Sequence, residues 1–216
     1  MKSPLKTLTL LALVVLLSGC PTVPTAQELY QPETISANGP YTQTATGMVF
    51  PTSVGAFQRA QITRYDAAGL DMSAGYNLIS PQGTIVLTVY VYPSPQISTF
   101  SSPANVIQEA RDTLALDHYA AKKREILRAH PNSSLVRESE ITLPEGGTIQ
   151  HGRLAVFTYD QPAGFLMVRS ESRLYTFCYV ADKWIVEYRI TYPLGLDASQ
   201  SIDDFLQHLP WTIQGI

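Results

Sequence analysis

The middle of the chain alternates apolar and polar side chains in the manner of half-buried strands. Residues 70–78 carry an apolar or small side chain at every second position, and residues 84–92 repeat this pattern. Between them lies Ser80-Pro81-Gln82-Gly83, and proline followed by glycine favours a tight turn. The pattern therefore predicts a β-hairpin, with a further strand over residues 56–65.

Two other segments have helical character. Ser102-Pro103 is a typical helix start, and residues 104–129 are rich in helix-forming side chains up to the break at Pro131. The apolar stripe of this segment shifts its phase near Leu116, which predicts either a kink or two helices that meet there. Residues 197–209 predict a second, C-terminal helix.

Between the two helical segments lies a second block of alternating segments, separated by short links. Short links join antiparallel neighbours, because parallel strands need a long crossover. The sequence therefore predicts an α+β fold, in which one antiparallel sheet of about 6–8 strands is flanked by one long helix, straight or kinked, and a C-terminal helix. The strands predicted in this block are residues 135–143, 148–159, 164–170, 172–180 and 184–192.

The order of elements from residue 50 to residue 211 resembles that of the Mog1/PsbP-like domains. The resemblance includes Val89-Tyr90-Val91-Tyr92-Pro93 before the long helix and Tyr188-Arg189-Ile190-Thr191-Tyr192-Pro193 before the last one. It implies a central antiparallel sheet with helices on its faces, and a role in binding or assembly, since most members of that group act in this way. It transfers no catalytic residue to this chain.

The first twenty residues have the pattern of a bacterial export signal. Lys2 and Lys6 precede an apolar run over residues 8–17, which is too short to cross a bilayer as a helix. The string Leu17-Ser18-Gly19-Cys20 resembles the lipobox of bacterial lipoproteins. This resemblance implies removal of residues 1–19 and attachment of lipid to Cys20. The alternative is an ordinary secretory signal with a cysteine at this place by chance.

A lipid on Cys20 predicts a protein held to a membrane of the cell envelope and facing the periplasm. Pro21 stands where lipoproteins retained in the inner membrane typically carry aspartate, which favours the outer membrane if the host has one. Residues 20–47 are poor in aliphatic side chains and predict a flexible tether, and residues 48–216 predict a single domain. The alternative for the tether is a segment that lies on the domain surface through Tyr30, Ile35 and Tyr41.

Charge and cysteine content narrow the classes of function. The chain has 15 basic and 18 acidic residues, and removal of residues 1–19 takes two lysines and leaves a net charge of −5. We expect no nucleic-acid partner, because phosphate binding needs clustered Lys and Arg. Cys178 is the second of two cysteines, and its alternation with Leu174 and Val180 predicts a small apolar core residue in preference to a reactive thiol.

No established catalytic or cofactor motif occurs in the sequence. The histidines lie outside metal-site spacings, and there is no phosphate loop, nucleophile elbow or Ser-x-x-Lys motif. We therefore expect no metal and no cofactor. The working hypothesis is a non-enzymatic binding or assembly module, and the alternative is an envelope hydrolase or small-ligand carrier with a site built from non-contiguous residues.

The candidate binding residues lie on the strands of the predicted sheet. Alternation makes one face of residues 184–192 apolar and predicts a polar opposite face, to which neighbouring strands add further arginines and tyrosines. This polar face is either a solvated surface, a layer of ion pairs beneath a helix, or the floor of a ligand cleft, and we expect an exposed face. The candidates are Tyr90, Tyr92, Arg169, Arg173, Glu187 and Arg189.

Overall fold

The computed structural model describes residues 30–98, 102–145 and 148–213. Eleven strands and two helices follow one another along these residues. They are β1 (Glu33–Ile35), β2 (Tyr41–Thr42), β3 (Val49–Phe50), β4 (Ser53–Val54), β5 (Phe57–Arg64), β6 (Met72–Ser80), β7 (Gly83–Pro93), α1 (Ala104–Ala129), β8 (Ser134–Glu145), β9 (Thr148–Ala163), β10 (Leu166–Val180), β11 (Trp184–Pro193) and α2 (Ser199–His208).

Nine of these strands form one antiparallel sheet. Its order is β1-β5-β6-β7-β11-β10-β9-β8, with β4 paired to the outer part of β5, while β2 and β3 form a separate small ribbon. The α+β class, the antiparallel pairing and the two helices are as predicted. The strand number is higher than predicted because β1 and β4 have only three and two residues, too few to show an alternation.

Two predicted breaks do not occur. Helix α1 runs without interruption from Ala104 to Ala129, so the phase shift near Leu116 marks neither a kink nor a second helix. Strand β10 is continuous where two strands were predicted, because Ser170 to Thr176 pair with both neighbouring strands without a gap in register.

Residues 30–47 are part of the domain, and the tether predicted for them is wrong. Ile35 pairs with Ile62 in the sheet, and the Arg59 guanidinium donates hydrogen bonds to the carbonyls of Ala37 and Gly39 at 2.8 and 2.7 Å. Gln43 is fully buried. Backbone pairing and side-chain hydrogen bonds hold the segment in place. The tether was predicted from its low content of aliphatic residues, and that content carries no information on such contacts. Residues 20–29 of the predicted tether lie outside the described residues.

The main core lies on the face of the sheet that α2 covers, here termed the α2 face. Phe205 of α2 makes edge contacts with Phe57, Tyr76 and Tyr188, with ring centroids 5.0 to 6.4 Å apart. After α2, the indole Nε1 of Trp211 donates a 2.6 Å hydrogen bond to the Tyr188 hydroxyl. Aromatic packing of this kind fixes α2 and the following residues to the sheet.

Helix α1 covers the opposite face, the α1 face, with a much smaller apolar contact. The buried apolar residues there are Tyr119, Ile126, Ala155, Phe157, Tyr159 and Leu174. Other contacts of the helix with the sheet are made by charged or polar side chains, including Arg111, His118, Lys123 and Glu125. The mixed character of its buried side explains why the apolar stripe shifts its phase in the sequence.

Candidate functional site

The register of the sheet divides the six candidate residues between its two faces. Leu174 of β10 lies opposite Arg189 of β11, and directly opposite residues of an antiparallel pair share a face. Arg173 therefore points to the other face, together with Arg169, four residues away. The prediction of a common face is wrong for these two arginines, because it had no information on register.

On the α2 face, Arg173 binds neighbouring groups of the fold. Its Nε donates a 2.9 Å hydrogen bond to Glu171, its guanidinium lies 5.4 Å from the ring centroid of Tyr192, and it reaches the Ser199 hydroxyl of α2 at 3.3 Å. Arg169 lies farther out and pairs with Asp160 at 3.4 Å, with both side chains 41% exposed. Arg173 thus connects β10 to α2, whereas Arg169 takes part in an exposed ion pair between β9 and β10.

On the α1 face, the other four candidates meet in a polar layer beneath the helix, which consists of Tyr90, Tyr92, His118, Glu125, Glu187 and Arg189. Its centre is the Glu187 side chain, which is 1% exposed. The Tyr92 hydroxyl donates to one carboxylate oxygen at 2.5 Å, and Arg189 Nε donates to the other at 2.6 Å. This is the helix-covered layer of ion pairs, and the expectation of an exposed face is wrong for Glu187.

Helix α1 supplies the outer half of the polar layer. His118 Nε2 lies 2.9 Å from the Tyr92 oxygen, and since the single Tyr92 proton goes to Glu187, the histidine donates at Nε2. Glu125 accepts a 3.1 Å hydrogen bond from Arg189, whose guanidinium also lies 5.5 Å from the Tyr90 ring centroid. The layer thereby connects α1 to β7 and β11.

The electrostatics of the polar layer favour an ionised Glu187. Burial raises the pKa of Glu187, but His118, whose Nε2 lies 3.9 Å from the carboxylate, the charge of Arg189 and the hydrogen bonds from Tyr92 and Arg189 outweigh it and lower the pKa to about 2. Burial and the nearby Glu187 charge raise the pKa of Tyr92, so the phenol keeps its proton and remains a donor. The Glu187 carboxylate also raises the pKa of Arg189, although burial acts in the opposite direction.

An open groove of about 700 Å³ lies beside this layer, between the N-terminal half of α1 and the ends of β8, β9 and β10. We term it the α1 groove. Helix α1 leaves this part of the sheet uncovered, so that the side chains of the three strands form a floor. The groove is lined by Gln108, Arg111, Asp112 and Leu116 of the helix and by Glu140, Thr142, His151, Arg153, Thr176 and Cys178 of the strands.

Cys178 lies on the floor of the α1 groove, and among the described residues it is a free cysteine, without a disulfide partner. Burial, and then the charge of Glu187, raise the pKa of its thiol to about 12. The thiol is therefore protonated at neutral pH, whereas a nucleophilic cysteine needs its thiolate. This agrees with the predicted role as a small filling residue, although Cys178 is only partly buried.

One end of the α1 groove is shaped by an irregular turn that the sequence did not reveal. The register between β10 and β11 shifts after Phe177, and Tyr179, Ala181 and Asp182 adopt positive φ angles of 58°, 45° and 66°. Arg111 of α1 binds Asp182 at 2.7 Å and lies 5.4 Å from the Tyr179 ring centroid. None of the three residues is a glycine, so no sequence signal marked the left-handed conformation.

The described residues contain no group of three or more His, Cys, Asp or Glu side chains placed to hold a metal ion. Among those same residues, no helix is both long enough and apolar enough to span a membrane. Comparison of the chain with protein-family models, with curated proteins and with solved structures gave no match.

The position of Arg189 leads to a prediction about stability. We expect Arg189→Ala to lower the free energy of unfolding by about 2–3 kcal/mol, because it leaves the Glu187 carboxylate buried without its cation. The value lies below the usual ~3–5 kcal/mol for a broken buried pair, since Arg189 is one third exposed and partly screened. Urea unfolding of the mature chain at pH 7 measures it.

Arg169→Ala is the matched control, since it removes an arginine from an exposed ion pair. We expect Arg169→Ala to change the free energy of unfolding by no more than about 0.5 kcal/mol. Equal, small losses for the two variants would mean that the polar layer contributes no more to stability than a surface ion pair.

Proposed function

We propose that this chain is a lipoprotein of the bacterial cell envelope, anchored through lipid on Cys20, that faces the periplasm and binds an envelope partner. The observation that carries the anchoring is the series Lys2, Lys6, the apolar run and Leu17-Ser18-Gly19-Cys20. Residue 21 is proline, which supports the outer membrane as the destination where the host has one. The described domain begins at residue 30, ten residues after the anchor.

The α1 groove is the proposed recognition surface, and it offers both signs of charge to a partner. Arg111 is paired with Asp182, and Arg153 with Glu140 at 3.0 Å, while the two acids are 73% and 81% exposed. Exposed pairs of this kind contribute little to stability, so both arginines can exchange their acids for groups of a partner. Arginine and tyrosine are also enriched at interaction hot spots. The resemblance to Mog1/PsbP-like domains favours the same binding or assembly role.

A second candidate function is that of a small-ligand carrier. The volume of the α1 groove, about 700 Å³, lies within the range typical of small-molecule sites, which is roughly 300–1,000 Å³. The groove is open along its length and largely polar, and this favours a protein segment over an enclosed apolar ligand.

The anchoring proposal makes a direct prediction for Cys20→Ala. We expect this variant to keep residues 1–19 and to incorporate no lipid, because the thioether requires the cysteine sulfur. Metabolic labelling with a palmitate analogue measures the lipid, and the mass of the intact chain shows whether residues 1–19 remain. Cys178→Ala is the control and should label like the wild type. Equal labelling of the Cys20→Ala variant would show that the anchor lies elsewhere or does not exist.

The recognition proposal predicts that a bulky side chain in the α1 groove blocks binding. Thr142 is exposed on the groove floor, so we expect Thr142→Trp to preserve the fold and to abolish cross-linking to envelope proteins. Thr113→Trp places the same side chain on an exposed position of α1 that does not line the groove. Cross-linking in detergent-solubilised envelopes, with the anchored chain as bait, compares the two. Products that survive in both variants would rule out the groove as the binding surface.

A further inference from the structure

The turn between β9 and β10 and the start of β10 carry three consecutive, strongly exposed apolar side chains, and Phe165 is the most exposed large apolar residue among the described residues. Phe165 is 109% exposed, Leu166 70% and Met167 64%. We term residues 161–168 the hairpin tip. Strand β11 pairs with β10 only from Ser170 onward, and β8 pairs with β9 only up to Thr158. The hairpin tip therefore extends beyond the sheet as a two-stranded ribbon.

The apolar side chains of the hairpin tip point in several directions. Successive residues of a strand face opposite sides, so Leu166 and Met167 lie on the two faces of the ribbon, while Phe165 lies at its end. A protein surface against one face would leave the other face in water. The interfacial region of a bilayer surrounds an inserted ribbon on every side, and it fits this arrangement better.

Charge along the ribbon sets a boundary at its base. The eight residues from Gln161 to Val168 carry no charged side chain, and the first charges on either strand are Asp160 and Arg169. These two residues lie opposite each other in register and form an ion pair at 3.4 Å. The three residue pairs between this ion pair and the turn extend roughly 10 Å. This length matches the depth of ~5–10 Å at which apolar elements lie in a membrane interface.

We propose that the hairpin tip is a second membrane contact, which inserts Phe165, Leu166 and Met167 into the interfacial region of a phospholipid bilayer. The inference deepens the proposed function and rests on its anchor at Cys20, which brings the domain to a membrane. A lipid anchor together with a separate apolar contact restrains the orientation of the domain, which a single anchor does not.

The length of chain between Cys20 and the domain limits the angle that the sheet can make with the membrane surface. The register across the sheet places Arg64, next to the N-terminal strand, level with Phe177 of β10. Phe177 lies twelve residues from Phe165, or about 40 Å along the strand. The ten residues from Cys20 to Tyr30 reach at most ~35 Å when fully extended. The anchor and the tip therefore contact one bilayer only when the strands are inclined toward its surface.

Depth-dependent fluorescence quenching tests the insertion. The full acylated chain with Phe165→Trp is placed in phosphatidylethanolamine–phosphatidylglycerol vesicles that contain brominated lipid. We expect added emission that is shifted to the blue and quenched by the brominated lipid, while Trp184 and Trp211, which are buried, supply a constant background. Ile149→Trp is the control, since Ile149 is 65% exposed and lies at the opposite end of β9.

Two outcomes overturn the proposal. If the tryptophan at position 165 is no more quenched than the one at position 149, the tip does not insert. In that case the alternative to examine is a partner protein with an apolar pocket that receives the tip. If both positions are strongly quenched, the domain contacts lipid without preference for the tip.

A second measurement separates a failure of the tip from a failure of the anchor. The mature chain from residue 20 with Cys20→Ser carries no lipid and contains every described residue. We expect its partition into the same vesicles to fall about tenfold with Phe165→Ser, because one large apolar side chain leaves the bilayer. No loss on this change overturns the tip proposal even where palmitate labelling supports the anchor. A tenfold loss supports the tip even if Cys20 proves to be unlipidated.

Discussion

The Glu187 carboxylate, buried and ionised between α1 and the sheet, is the constraint on which the arrangement of the α1 face depends. A charge removed from water is strongly destabilising unless its partners are close and correctly oriented. Here Tyr92 of β7 and Arg189 of β11 each donate a hydrogen bond to one carboxylate oxygen, and His118 of α1 donates to the Tyr92 oxygen. Three elements that are distant in sequence must therefore be in place together for any one of these side chains to be accommodated.

This constraint also accounts for the α1 groove. The C-terminal half of α1 is held by the apolar side chains of Tyr119 and Ile126 and by the hydrogen bond between His118 and Tyr92. Its N-terminal half is attached more weakly, through the ion pair of Arg111 with the exposed Asp182. Tyr92 belongs to β7, and Asp182 lies in the turn between β10 and β11. The ends of β8 and β9 consequently remain uncovered and form the groove floor. Attachment of α1 mainly through its C-terminal half thus leaves the proposed recognition surface beside its N-terminal half.

Local patterns in the sequence were sufficient for much of the fold. The hairpin of β6 and β7, the bounds of α1 and the apolar face of β11 all follow from alternation, helix-start residues and turn residues. Strand β1 was not predicted, because three residues are too few to display an alternation. It is stabilised by pairing with β5. The candidate site was predicted less well, since alternation identifies the two faces of one strand but not which faces of two strands coincide. Arg173 and Arg189 were grouped for this reason, although the register separates them.

The protonation state of Glu187 tests the account most directly. Carbon-13 NMR of the side-chain carboxyl, assigned with Glu187→Gln, follows it as the pH is lowered from 7. We expect a resonance that stays at its ionised position through pH 4 and moves only as the pH approaches about 2. Because the folded pKa lies below the ordinary value near 4.3, the stabilisation from Glu187 is complete above that pH and is lost as the pH falls toward 2. A midpoint at or above pH 4.5 would be the contrary result, since the partners of Glu187 would then fail to outweigh the effect of burial on its pKa.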